Sequence, residues 1–254
     1  MTAAQIRFAA FVAIVLGLPG LMMAAADPRL SDLGKLTLIL SPAVAGLALN
    51  RGFGDRGQKP AWGWVAIAVA CTLAIAAGAL AVAFAGGAAG FKSLGAPPSA
   101  ILAAMGGSAL TSVLEEMGWA GGGLALAVAA LGRRWGVLVL GLVWAAWHLI
   151  PVALKIGLFP DLEAGPPGMI AAFVAACVVY RTLLSDLRTR ARTWMAAAAG
   201  HATPNLVFAG LAAAGLGGFH DPARWMLFPA PGGLVFPALA LGVVLALRRL
   251  APGT

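Results

Sequence analysis

Four ionisable side chains interrupt otherwise apolar sequence: the adjacent Glu115 and Glu116, and the histidines His148 and His201. Carboxylates and imidazoles together can activate water, relay a proton or ligate a metal. Each is costly in an apolar surrounding, so such groups mark a functional site by default. Taken singly, each is equally well explained as a structural contact between helices. As a set they point to chemistry. Ser108, Thr111, Ser112, Glu115 and Trp119 recur every three or four residues and share one helix face, with Glu116 about 100° further round. His201 and Asn205 are four apart, as are Trp144 and His148. A polar stripe of this kind faces a bundle interior or a wet pocket, because lipid offers no hydrogen-bonding partner. Pro151 and Pro204 each follow a histidine by three residues, and they free the backbone carbonyls of Trp147 and Gly200. A freed carbonyl can orient an imidazole or hold a water.

The elements that hold these residues follow from composition. The chain has 254 residues, 61% hydrophobic and only 10% charged, with mean hydropathy +0.93. Soluble domains are about 25% charged, so a soluble globule and a disordered chain are both excluded. Two cysteines, Cys71 and Cys177, exclude a disulfide scaffold. The expected fold is all-α: a polytopic transmembrane helical bundle of about eight spans. The apolar runs lie near 6–26, 36–50, 61–85, 100–131, 137–154, 168–184, 194–215 and 234–247. The second and last are short. The fourth would make a rod of about 48 Å against a hydrocarbon core of about 30 Å. The glycines Gly121, Gly122 and Gly123 are expected to break it, leaving a helix near 98–119 and then an irregular or re-entrant piece. No internal repeat divides the chain, so residues 1–254 are expected to form one membrane domain.

The net charge is +8. Beside membrane spans this reports orientation, not nucleic-acid binding. With the N-terminus inside, 12 of the 17 basic residues fall inside, including Arg181 at the end of the sixth span. Only Arg29, Lys35, Lys92, Lys155 and Arg224 fall outside. This bias fits eight spans with both termini inside. The first run also has the look of a signal peptide ending at Ala24-Ala25-Ala26, but it is longer than a usual signal core and favours a retained helix. The turn around His220 is expected outside, with no role for its histidine.

Three segments carry a resemblance. Glu115-Glu116-Met-Gly-Trp-Ala-Gly, Trp144-Ala-Ala-Trp-His148 and His201-Ala-Thr-Pro-Asn205 resemble the motifs Glu-Glu-x-x-x-Arg, Phe-x-x-x-His and His-x-x-x-Asn/Asp of the CPBP intramembrane proteases. This is the CAAX-protease and bacteriocin-processing (Abi) family. The likeness covers about residues 98–210. Two positions depart from the pattern: Ala120 stands where the first motif has arginine, and Trp144 where the second has phenylalanine. Ala120 leaves a buried glutamate without a counter-charge.

The resemblance implies endopeptidase activity on a membrane-associated peptide or protein, with Glu115, Glu116, His148, His201 and Asn205 as the catalytic set. Two routes fit those residue types. Glu115 and His148 activate a water while His201 and Asn205 receive the oxyanion. Alternatively, Glu115, His148 and His201 ligate a zinc ion that activates the water. Asn205 suits an oxyanion better than a metal, and no His-Glu-x-x-His helix is present, so the metal-free route is favoured. The alanine-rich, arginine-over-lysine composition suggests a bacterial inner membrane. Two other classes compete: a proton- or metal-coupled transporter, and a scaffold or immunity-type homologue that has lost peptidase activity, which Ala120 would favour.

Overall fold

A computed structural model describes residues 1–25, 27–50, 59–91, 96–217 and 222–250. The turn around His220, and the basic residues Arg51, Arg56 and Lys92, lie outside the described residues. The helices in chain order are α1 (Ala3–Met23), α2 (Pro28–Asn50), α3 (Trp62–Ala85), α4 (Pro98–Gly118), α5 (Leu124–Ala153), α6 (Pro160–Ala164), α7 (Pro167–Ala191), α8 (Met195–Ala213) and α9 (Val235–Leu250). Several starts are written in the sequence. Thr2 and Gln5 form a capping box for α1. Proline occupies the first turn of α4, α6 and α7, where its missing N–H costs nothing. The only strands described are β1 (Gly90–Phe91) and β2 (Leu216–Gly217), an antiparallel pair that ties the end of α3 to the end of α8.

Five helical stretches among the described residues are long and apolar enough to cross a membrane: α1, α2, α3, the run Pro98–Ala153 and α7. The run of 56 residues folds back on itself at Gly132, whose φ of 76° and ψ of 164° suit glycine alone. Gly136 then packs on the backbone of Ala127, closing a helical hairpin. The α2 helix starts eight residues earlier than the apolar run at 36–50, and Asp32 and Lys35 pair at 2.8 Å on the exposed face of those first turns.

The expected break at Gly121–Gly123 does not occur. Residues Trp119–Gly123 form a single π-helical turn, and the helix continues through it into α5. The glycines serve close approach instead. A side chain on Gly118 would fall onto the Pro42 carbonyl, and one on Gly122 onto Gly46. Backbones of α2 and the π turn therefore touch directly, as small residues allow between membrane helices. Gly118→Val is accordingly expected to destabilise the protein by about 1–3 kcal/mol or more through overpacking, read as a lower melting temperature in detergent. Gly107→Ala, which meets open space on the same helix, should leave it unchanged.

The core lies around the π turn and α7. Trp119 is fully buried, edge-on to Phe11 of α1 and to Trp147 of α5, with ring centroids 5.5 and 5.9 Å away. These contacts fix the last turn of α4 relative to α5, and so place the two glutamates.

Candidate active site

Four helices converge on Trp144. The last turn of α4 brings Glu115 and Glu116, the returning leg of α5 brings Trp144 and His148, α7 brings Tyr180 and Arg181, and α8 brings His201 and Asn205. The Trp144 indole N–H donates to Glu115 Oε2 at 3.4 Å. Its ring lies edge-on to both imidazoles, with centroids 5.1 Å from His148 and 5.2 Å from His201. The five expected site residues are therefore drawn into one region, with the second motif's aromatic residue at its centre.

The two glutamates have different partners. Glu116, completely buried, accepts from Arg181 through both oxygens, at 2.7 and 2.8 Å. Its Oε1 also faces His201 Nδ1 at 3.0 Å. Arginine can only donate, so Glu116 is the acceptor throughout. His201 must then carry a proton on Nδ1 and turn Nε2 outward. The Arg181 guanidinium also lies 4.1 Å from the Trp144 ring centroid, a cation–π contact. Glu115 sits on the other side of this arrangement, 5% exposed, against the Trp144 N–H.

His148 is set in the same way. Its Nδ1 meets the Trp144 carbonyl at 2.9 Å. A carbonyl only accepts, so Nδ1–H donates and Nε2 is left as the acceptor. The freed Gly200 carbonyl is used, but not by an imidazole: it accepts the Tyr180 hydroxyl at 2.7 Å. Asn205 Nδ2 donates to Ser112 Oγ at 3.0 Å, and Ser112 in turn donates to the Ser108 carbonyl at 2.9 Å. The polar face of α4 thus holds the amide of Asn205 in place.

A cavity of about 500 Å³ opens beside these groups. Trp144, His148, His201 and Asn205 line its polar part, and Phe173, Phe208 and Phe236 its apolar part. Glu115 lies behind Trp144 and outside that lining. No three of the His, Cys, Asp and Glu side chains among the described residues are grouped as around one metal ion. Nδ1 of each histidine meets a protein acceptor, which leaves Nε2 as the nitrogen available for chemistry, and Glu115 accepts from an indole.

Arg181 is the functional residue that sequence reasoning misplaced. It is not at a membrane edge. The α7 helix runs on to Ala191, so Arg181 lies ten residues inside its end, about 15 Å deep, and is 1% exposed. The signal was present: Glu116 required a cation, Ala120 could not supply it, and Arg181 is the basic residue found within an apolar run.

Residues 97–207 match the protein-family model described as type II CAAX prenyl endopeptidase Rce1-like. No curated protein matches the chain. The matched segment contains both glutamates, both histidines and Asn205, and the match agrees with the resemblance of those three motifs to the CPBP family.

Proposed function

We propose that the protein is an intramembrane endopeptidase of the CAAX-protease type, which hydrolyses a membrane-associated peptide or protein. The observation that carries this reading is the pair of imidazoles, each fixed through Nδ1, facing one cavity beside Asn205. The chain spans the bilayer about eight times, with both termini in the cytoplasm of a bacterial cell. The basic clusters near Arg133, Arg190 and Arg248 support that orientation.

The attacking water is held against His148 Nε2 on the cavity side, and Glu115 completes the base from behind the Trp144 indole that donates to it. Its oxygen adds to the scissile carbonyl carbon, and its proton passes to the Glu115–His148 pair. The resulting oxyanion is received by the Asn205 amide and by His201. A second proton on Nε2 makes His201 a donor there, with Glu116 as its counter-charge. The carbon–nitrogen bond then breaks, and the proton held by Glu115 and His148 goes to the departing amine. A carboxylic acid and an amine result. Glu116 and Arg181 do not meet the substrate; they are positioning residues for His201.

Asn205→Ala tests the oxyanion assignment. Loss of one oxyanion donor lowers kcat by about 10²–10³, with KM little changed. The measurement is steady-state cleavage of a lipid-tethered fluorogenic peptide by purified protein. An unchanged kcat would remove Asn205 from the site.

A further inference from the structure

The two ends of the bundle differ in charge. One end gathers the starts of α3 and α8, the Gly132 turn, and the ends of α7 and α9. Its parts are tied by Arg133 and Arg248 on Asp186, at 3.1 and 2.9 Å. Arg190 adds a bond to the Leu247 carbonyl and stacks over Trp64. Among the described residues this end carries Arg7, Lys59, Arg133, Arg134, Arg188, Arg190, Arg192, Arg248 and Arg249, against Asp186 alone. Among the described residues the opposite end carries Arg29, Lys35, Lys155 and Arg224, balanced by Asp27, Asp32, Asp161 and Glu163.

The cavity belongs to the balanced end. Its polar lining includes His148 and His201. From there its walls follow the N-terminal half of α7 and the C-terminal half of α8, through Phe173 and Phe208. Its rim is formed by Leu158, by Pro160 at the start of α6, and by Pro231 before α9. Leu158 is 44% exposed. No described residue of the arginine-rich end lines it.

Basic residues flank the cytoplasmic ends of membrane helices. We infer that the cavity opens away from the cytoplasm, and that the substrate is a peptide segment presented on the outer face of the membrane. Such a substrate comes from an exported or outer-surface-tethered protein. Beside its scissile bond it carries an apolar stretch to meet the phenylalanine walls. The inference rests on the membrane-peptidase reading above, to which it adds the side of access and the substrate class.

The test uses the full chain in cells, with both native cysteines replaced (Cys71→Ala, Cys177→Ala). Single cysteines are then introduced by Leu158→Cys at the cavity rim and Arg134→Cys at the arginine-rich end. The probe is a bulky, membrane-impermeant maleimide. In right-side-out vesicles the rim cysteine is expected to react several times faster than the other, with the order reversed in inverted vesicles. Lys155→Cys and Arg249→Cys repeat the comparison at two further exposed sites, should either first variant fail to accumulate. The reverse pattern, or equal labelling of both ends from both sides, would overturn the inference. Labelling needs no peptidase activity. A wrong orientation therefore leaves cleavage by the purified protein intact, and absent cleavage with the expected labelling condemns the peptidase reading alone.

Discussion

Arg181→Ala is expected to abolish peptide cleavage and to lower the melting temperature in detergent. The guanidinium and the Glu116 carboxylate form a two-pronged pair at 2.7 and 2.8 Å, with neither side chain more than 1% exposed. Removing one member of such a pair strands the other charge, at a cost of about 3–5 kcal/mol. The activity loss has a separate cause. Without Arg181, Glu116 no longer stands as a fixed acceptor, and His201 loses the contact at 3.0 Å that sets its ring. The two effects can be pulled apart. An apolar replacement of the whole pair, Arg181→Met with Glu116→Leu, is expected to recover most of the stability, since buried ion pairs are often replaced without loss. It should recover none of the activity. Arg181→Lys keeps the charge but not the fork geometry, and is expected to fall between wild type and alanine in both measures. If the double apolar variant cleaves as wild type does, Glu116 and Arg181 have no part in placing His201.

His148→Ala and Glu115→Gln carry the second large effect. Each removes a member of the pair proposed to take the proton from water, a contribution of about 10²–10⁴ in rate. Stability should change far less than for Arg181. His148 makes its one described hydrogen bond to the carbonyl of its own helix turn, and Glu115 is held by a single bond of 3.4 Å from Trp144. The expected signature is therefore a folded, inactive protein, read from kcat together with the melting temperature. A His148→Ala protein that keeps wild-type kcat would transfer the base to another group.

Much of this site was legible in the sequence. The scarcity of charge gave the membrane class, and the same scarcity singled out Glu115 and Glu116 among nine acidic residues. Helical spacing correctly grouped His201 with Asn205, and Trp144 with His148. Other features needed three dimensions. Gly121–Gly123 read as a break because glycine weakens an isolated helix. In the fold Gly122 lies where α2 crosses, with Gly46 in the space a side chain would take, and Gly123 lies against the Phe11 ring of α1. Sequence alone carries no trace of which helix crosses at that point. Arg181 read as a boundary marker because the apolar run ends near Leu184, whereas the helix continues to Ala191 on buried Leu187 and Asp186. Its partner is 65 residues away in the chain, so no local pattern links them. Ala120 suggested a missing charge and a failed enzyme. The charge is present, supplied from another helix, which removes that objection to peptidase activity.

The central claim is that Glu115, His148, His201 and Asn205 form one hydrolytic site for membrane-associated peptides. The most direct test is cleavage of a mixed library of lipid-tethered peptides, prenylated CAAX peptides among them, by purified protein in proteoliposomes. Products are read by mass spectrometry beside Glu115→Gln and His148→Ala proteins of matched folding. The account predicts discrete peptide-bond cleavage by wild type that both variants lose. A library that wild type leaves uncut, or that the variants cut as well as wild type does, would contradict it.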